Sequence, residues 1–178
     1  MDIYNYAIEN NLISHSAISF NEFRDFFKHI EIKNVVEIGT FKGVSAAYIA
    51  RFVEKVYTFD VVDYLEKYKV WYETKTIDKI YFKVIKGNDA NGFVVNFQGR
   101  FEENKNAISM KNVLDRIDFD FAFIDGNHDY HNLKLDFNLI KKCKRVLFHD
   151  ANSSFKDVNI FLKEINAKIL GHVAYWEE

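Results

Sequence analysis

Five short apolar runs, separated by stretches of helical periodicity, constrain the fold of this chain most strongly. Within each run apolar residues follow one another almost without interruption, which is typical of parallel strands buried on both faces. The alternation of such strands with helices predicts an α/β fold with a doubly wound, mostly parallel sheet and right-handed crossovers. The predicted strands are Val35–Gly39, Val56–Asp60, Ile80–Ile85, Phe119–Ile124 and Arg145–His149.

Helical periodicity is clearest in three places. Residues 44–55 and 129–142 each place apolar side chains on one face. Residues 1–30 are predicted to form a helical cap, in which Ser19 and Glu22 have the spacing of a capping box. Phe23, Phe26, Phe27 and Ile30 then form one apolar stripe.

Two regions leave the prediction open. Residues 87–112 are compatible with an irregular insertion carrying a short helix, or with a hairpin in which Phe93–Phe97 folds back on the third strand. After Asp150 there is length for one helix, roughly Phe155–Ala167, and one last strand near Ile169–Tyr175. We therefore expect a short carboxyl-terminal end.

Length and charge limit the classes of function. The 178 residues suit a single domain, 1–178, with the cap at 1–30 and the α/β core at 31–178. A net charge of −2 predicts no nucleic-acid partner and no membrane partner. A lone cysteine, Cys143, and an amino terminus without an apolar leader predict a cytoplasmic location. Homo-oligomerisation through exposed aromatic residues such as Phe26, Trp71 or Trp176 stays open.

Acidic and small residues collect where the predicted strands end. In an open parallel sheet, ligands bind beyond these carboxyl ends, near the point where the strand order reverses. Single acids there are ordinary turn residues, so it is the set that indicates a site. The set comprises Glu37 to Ser45, Asp60, Gly87-Asn88-Asp89, Asp125-Gly126-Asn127-His128 and His149-Asp150.

The first loop indicates which ligand is bound. It contains only Gly39 and Gly43, whereas dinucleotide sites use Gly-x-Gly-x-x-Gly to approach a pyrophosphate. Asp60 ends the second strand, where a carboxylate can accept hydrogen bonds from ribose hydroxyls. This combination predicts adenosine recognition without a phosphate cradle, which suits S-adenosylmethionine.

The segment Val-Val-Glu-Ile-Gly-Thr-Phe-Lys-Gly-Val-Ser (35–45) resembles the first motif of class I S-adenosylmethionine-dependent methyltransferases, which have a Rossmann-like fold. Phe-Ile-Asp-Gly-Asn-His-Asp-Tyr (123–130), followed by Val-Leu-Phe-His-Asp (146–150), is similar to the branch that contains macrolide-sugar O-methyltransferases and related small-molecule enzymes. The resemblance extends from about Val35 to Asp150.

The resemblance implies a role for each matching residue. The first motif would hold the methionine part of the cofactor, Asp60 the ribose, and Asn88 and Asp89 the adenine. Asp125 would lie under the transferring methyl group, at a metal-ligand position, and His128 matches the catalytic base. The implied cofactor residues are Glu37, Gly39, Thr40, Gly43, Ser45, Asp60, Asn88, Asp89 and Asp125.

The metal position departs from the family pattern. Metal-dependent members carry two adjacent acids after the next strand, and this chain has His149-Asp150 there. Asp125, His149 and Asp150 would converge on one divalent ion, Mg²⁺ or Mn²⁺, only if the chain bends directly after the strand, because successive strand residues face opposite sides. An imidazole ligand favours Mn²⁺, Fe²⁺ or Zn²⁺ over Mg²⁺.

Three functions are compatible with these residues. The leading hypothesis is methylation of a small-molecule acceptor at an oxygen, with a nitrogen as the alternative, and with His128 as general base. The second is cleavage of S-adenosylmethionine without an acceptor, which the short tail would suit. The third is a non-catalytic S-adenosylmethionine-binding protein. For His128 itself, a turn residue bonded to backbone is the structural alternative.

Overall fold

One mixed sheet organises the part of the chain that the structure, a computed structural model, describes: residues 2–60, 69–85, 93–97, 101–107 and 110–178. Its nine strands are β1 (Asn34–Ile38), β2 (Lys55–Asp60), β3 (Ile80–Ile85), β4 (Phe93–Phe97), β5 (Phe101–Ala107), β6 (Phe121–Ile124), β7 (Arg145–Phe148), β8 (Lys168–Leu170) and β9 (Val173–Glu177). They lie in the order β5-β4-β3-β2-β1-β6-β7-β9-β8.

The central strands confirm the predicted parallel, doubly wound sheet. β3, β2, β1, β6 and β7 are neighbours in that order and pair in parallel. The chain moves outward from β1 through β2 and β3, then returns to the other side of β1 with β6. The strand order therefore reverses between β1 and β6, which brings Gly39 and Asp125 to the same edge of the sheet.

Helices cover both faces of this sheet. They are α1 (Ile3–Glu9), α2 (Asn21–Lys28), α3 (Val44–Ile49), α4 (Lys69–Glu73), α5 (Met110–Leu114), α6 (Tyr130–Ile140) and α7 (Lys156–Glu164). Helices α1 to α4 contribute to a core that contains Val35, and α5 to α7 contribute to a core that contains Val36. This follows from the alternation of side chains along β1. None of the helices in the described segments is long and apolar enough to cross a membrane.

Both edges of the sheet are antiparallel. β4 folds back on β3, and β5 pairs with β4, so the hairpin interpretation of this region is correct and the irregular one is wrong for 93–97. At the other edge, the expectation of one last strand is wrong. Gly171, with φ +78°, turns the chain between β8 and β9, and β9 inserts between β7 and β8. The carboxyl-terminal end is therefore a complete strand pair.

The amino-terminal cap is helical, as predicted, but its details differ. Phe23 and Phe27 are buried, whereas the capping box is wrong: α2 begins after Phe20 without a side-chain cap. The Glu22 carboxylate instead accepts a hydrogen bond from the His172 backbone N–H at 3.0 Å. A long-range contact to the β8–β9 turn thus replaces the local one. Trp71, expected at the surface, is completely buried.

Candidate active site

The loop after β1 passes directly against the end of β6. Gly39 has φ +98°, and its N–H donates to the Phe59 carbonyl at 2.8 Å. A Cβ added to Gly39 would lie 2.1 Å from the Asp125 carbonyl oxygen. The sequence predicts that a larger side chain at Gly39 would either occupy the space of the cofactor or strain the turn. The structure gives the strained φ and places the backbone of the neighbouring strand end in that space.

Asp60, at the end of β2, fixes the same loop. Its Oδ2 accepts hydrogen bonds from the N–H groups of Thr40 (2.9 Å) and Phe41 (2.8 Å). Phe41 has φ +45°, a left-handed conformation that is uncommon for a bulky residue. The two hydrogen bonds to one carboxylate oxygen hold it there. Sequence reasoning identified Asp60 but missed this second task, because it depends on where β2 lies beside β1.

Three further motif residues support the loop from inside the protein. Glu37, Thr40 and Ser45 are 0%, 3% and 7% exposed. The Thr58 hydroxyl donates to Glu37 Oε2 and shares a hydrogen bond with the Thr40 hydroxyl. Glu37 Oε1 has no hydrogen-bond partner among the described residues. Burial raises the pKa of Glu37 well above its ordinary value, although the Thr58 hydrogen bond opposes that shift.

Four polar side chains meet at the ends of β6 and β7. His149 Nδ1 lies 2.8 Å from Asp125 Oδ1 and 3.3 Å from Asp150 Oδ2. His128 Nε2 lies 2.6 Å from Asp150 Oδ2 at angles that do not make an aligned hydrogen bond, and the two form an ion pair when the imidazole is protonated. The sequence placed all four at this edge, and the structure brings them into one cluster, which we call the Asp-His cluster.

The turn after β7 makes the cluster compact. Two successive strand residues would point to opposite faces, but β7 ends at Phe148 and Asp150 has φ +58°. The His149 N–H still donates to the Ile124 carbonyl at 3.0 Å, so the chain bends only after that residue. From the sequence, the convergence of His149 and Asp150 on one ion was conditional on such a bend.

The side chains of the cluster shift one another's pKa values. Burial raises the pKa of Asp125, although His149 opposes that shift. Burial alone would lower the pKa of His149, but the Asp125 and Asp150 carboxylates outweigh it and raise the value to about 10. Burial would likewise raise the pKa of Asp150, yet His128 and His149 hold it well below its usual range. Without a bound ion, an imidazolium at His149 therefore lies between two carboxylates.

His128 is held by neighbours that the sequence did not reveal. The Phe155 ring stacks on the imidazole at 4.1 Å between centroids, with 5° between the planes. The Tyr130 N–H, two residues further on, donates to Asp157 Oδ2 at 3.1 Å. The Asp150 carboxylate raises the pKa of His128 above 6.5, against the effect of burial. The turn that carries His128 is thus attached to the segment that follows β7.

Two of the predicted cofactor residues, Asn88 and Asp89, lie outside the described residues. The described residues bring together Gly39, Thr40, Asp60 and Asp125 at one edge of the sheet, with Gly43 at the start of α3.

Known structures share this architecture. The O-methyltransferase TomG from Streptomyces achromogenes, solved with S-adenosylmethionine, is 16% identical, with a TM-score of 0.61 over 98% of this chain and 87% of that one. The O-methyltransferase from Bacillus cereus, solved with S-adenosylhomocysteine, is 14% identical, with a TM-score of 0.62 over 99% and 89%. The methyltransferase PaMTH1 of Podospora anserina is 14% identical, with a TM-score of 0.59 over 99% of this chain and 86% of that one. At these identities the likeness shows the fold.

Comparison of the amino-acid sequence with known families identifies the family of this chain. A search of curated protein sequences finds no match to this chain. The sequence profile of one family, described as "Methyltransferase domain", matches residues 36–151, about two thirds of the chain. The matched range begins in β1 and ends one residue after Asp150, so it contains the loop, Asp60 and the whole Asp-His cluster. The chain belongs to this family of methyltransferase domains.

Proposed function

We propose that the protein methylates an oxygen of a small-molecule acceptor, with S-adenosylmethionine as the methyl donor. The observation that carries this proposal is the placement of the Asp-His cluster beside the Gly39 loop, at the point where the strand order reverses. The family and the O-methyltransferases of similar fold support it.

His128 is proposed to remove the proton from the acceptor hydroxyl. Since Nε2 faces Asp150, Nδ1 is the ring nitrogen left to accept a proton. Asp150 then stabilises the imidazolium that forms, as an acidic partner does for a catalytic histidine elsewhere. As that proton leaves, the acceptor oxygen forms a bond to the methyl carbon and the carbon–sulfur bond breaks in line, which leaves S-adenosylhomocysteine. Alignment of the two reactants supplies much of the rate.

Incubation with S-adenosylmethionine, followed by mass spectrometry of the products, tests the reaction. We expect S-adenosylhomocysteine together with an acceptor heavier by one methylene, in a panel of sugars and phenols. Cofactor breakdown without any acceptor would instead favour the cleavage reaction. The structure weakens that alternative, because the β8–β9 pair completes the end of the sheet that the sequence left short.

The adenosine end of the site gives a direct binding prediction. Asp60→Ala should weaken binding of S-adenosylhomocysteine by about 1–3 kcal/mol, because a charge-assisted hydrogen bond to ribose and two loop hydrogen bonds are lost together. Calorimetry measures the loss, with the exposed Asp115→Ala as control. Equal affinity in the two variants would contradict the ribose assignment.

The Asp-His cluster also fits a divalent ion. Asp125, His149 and Asp150 each offer one ligand atom within 4.8 Å of the others. The distances from His149 Nδ1 to the two carboxylates, 2.8 and 3.3 Å, bracket the edge of about 3 Å that an octahedral shell with bonds of about 2.1 Å requires. One nitrogen and two oxygens suit Mn²⁺ or Fe²⁺ better than Mg²⁺. A bound ion would act as a Lewis acid toward the acceptor hydroxyl.

We therefore predict that activity depends on a divalent ion. Excess chelator should lower the methyl-transfer rate by about 100-fold or more, since a Lewis acid contributes several kcal/mol. Mn²⁺ should restore the rate better than Mg²⁺, and Asp125→Asn protein should retain less metal in elemental analysis. Full activity in chelator, with no metal in the protein, would mean that the charged His149 alone bridges the two acids.

A further inference from the structure

Trp71, in α4, contacts the cofactor loop although the function proposed above assigns it no role. Its side chain is completely buried, and its indole N–H donates to the Gly43 carbonyl at 2.7 Å. Gly43 is the N-cap of α3, and the same carbonyl accepts the Ala47 N–H at 3.0 Å. Trp71 therefore bonds the residue at which the loop ends and α3 begins.

The indole ring also occupies the space beside Gly43. Gly43 has φ +72°, and a Cβ added there would lie 2.5 Å from Trp71 Nε1 and 2.7 Å from the adjacent ring carbon. The sequence predicted that a larger side chain here would either occupy the space of the cofactor or strain the turn. In the structure it is Trp71 that excludes a side chain, so the left-handed turn at Gly43 and the indole are complementary in shape.

Helix α4 is short, and contacts at its carboxyl end fix its position. A helix of five residues has little stability in isolation. At its carboxyl end, the Thr76 N–H donates to the Trp71 carbonyl at 2.9 Å, and the buried hydroxyls of Thr74 and Thr76 lie 3.1 Å apart. The Tyr6 hydroxyl of α1 donates to Glu73. Helix α4 thus braces the loop against the amino-terminal cap.

We propose that Trp71 is a positioning residue of the cofactor site, which holds the Gly43 turn in its binding conformation before the ligand arrives. The inference rests on the proposed function, since it assigns the Gly39–Gly43 loop to S-adenosylmethionine. A loop that is already ordered loses less conformational freedom on binding. The Trp71 hydrogen bond therefore contributes to affinity without any contact between the indole and the ligand.

The variant test compares the two tryptophans of the chain. Trp71→Phe removes the N–H but keeps an aromatic ring, and it should weaken binding of S-adenosylhomocysteine about tenfold, the size of one net hydrogen bond. The methyl-transfer rate at saturating donor should stay within about twofold, because the Asp-His cluster is untouched. Trp176→Phe is the matched control: Trp176 packs edge-on against Phe137 at 4.9 Å, on the opposite face of the sheet.

A second measurement uses the unaltered side chain. In protein labelled with nitrogen-15 at tryptophan, the indole N–H signal of Trp71 should be protected from solvent exchange and should shift when S-adenosylhomocysteine is added. The Trp176 signal, assigned by its loss in Trp176→Phe, should not move. A general loss of packing in Trp71→Phe cannot produce this result, because the spectrum is recorded on the original sequence.

The outcomes separate the inference from the function on which it rests. If the original protein does not bind S-adenosylhomocysteine, the proposed function fails and this inference fails with it. If the original protein binds, but Trp71→Phe binds equally well or the Trp71 signal does not respond to saturating ligand, only the positioning role is overturned. A tenfold loss confined to Trp71→Phe, together with a shifted Trp71 signal, supports it.

Discussion

Gly39→Ala should abolish binding of S-adenosylhomocysteine and lower the free energy of unfolding by about 3–5 kcal/mol, the combined size of backbone strain and local overpacking. With φ at +98°, this position disfavours any residue with a Cβ. The added atom would lie 2.1 Å from the Asp125 carbonyl oxygen and 2.8 Å from the Gly126 nitrogen. Both are backbone atoms at the end of β6, so β1 and β6 would have to separate.

Urea unfolding and calorimetry measure the two effects, and Gly171→Ala provides a matched control. Gly171 also has a positive φ, +78°, but the atoms nearest to its added Cβ belong to the Glu22 side chain, which can turn away. That variant should lose about 2–3 kcal/mol and bind normally, since a left-handed residue is strained and the Glu22–His172 hydrogen bond is lost, both away from the site. Equal losses in both variants, with normal ligand affinity, would show that β1 and β6 do not need this close approach.

The parallel core of the fold could be predicted because its signal is local. Buried strands such as β1 and β6 are continuous apolar runs, and their order of appearance decides which ends meet at the reversal point. That rule placed Asp125, His149 and Asp150 at one edge of the sheet, but their convergence also needed the bend at Asp150, which the sequence did not predict. By contrast, β8 has only three residues, too few for a periodic pattern, so the final strand pair was missed.

The partners of the site residues could not be predicted, because they come from distant parts of the chain. Glu22 has the spacing of a cap residue, yet the His172 N–H, 150 positions away, binds its carboxylate. Nothing in the sequence connects Trp71 with Gly43 or Phe155 with His128. These contacts depend on how short helices pack on the sheet, and a sequence pattern reports which face of a helix is buried, not what it is buried against.

His128→Ala should lower the methyl-transfer rate by about 10²–10⁴-fold, the usual contribution of a positioned general base. Affinity for S-adenosylhomocysteine should change by less than about twofold, because the described contacts of His128 are to Asp150 and Phe155 and not to the loop that begins at Gly39. Steady-state kinetics with the acceptor identified by mass spectrometry measure the methyl-transfer rate. Calorimetry with S-adenosylhomocysteine measures the affinity separately.

Two further variants distinguish the loss of the base at His128 from the loss of neighbouring side chains. His131→Ala alters an exposed imidazole at the start of α6 and should leave the rate unchanged. Phe155→Leu removes the ring that stacks on His128 but keeps the base, so its rate should fall between those of the original protein and His128→Ala. A loss in Phe155→Leu as large as that in His128→Ala would mean that the Phe155 ring, and not proton transfer to His128, accounts for the effect.

The methyl-transfer rate should depend on pH through the protonation of His128. A base must be neutral to accept a proton, so the rate should fall as the pH is lowered through the pKa of His128. In metal-free protein, Asp150 raises that pKa above the ordinary 6.5, so a titration of the His128 imidazole followed by NMR in chelator should have its midpoint on the alkaline side of this value. His128→Ala should lose this limb of the profile. If the mutant keeps near-normal turnover, or keeps the same decline at low pH, His128 is a turn residue and another group of the Asp-His cluster accepts the proton.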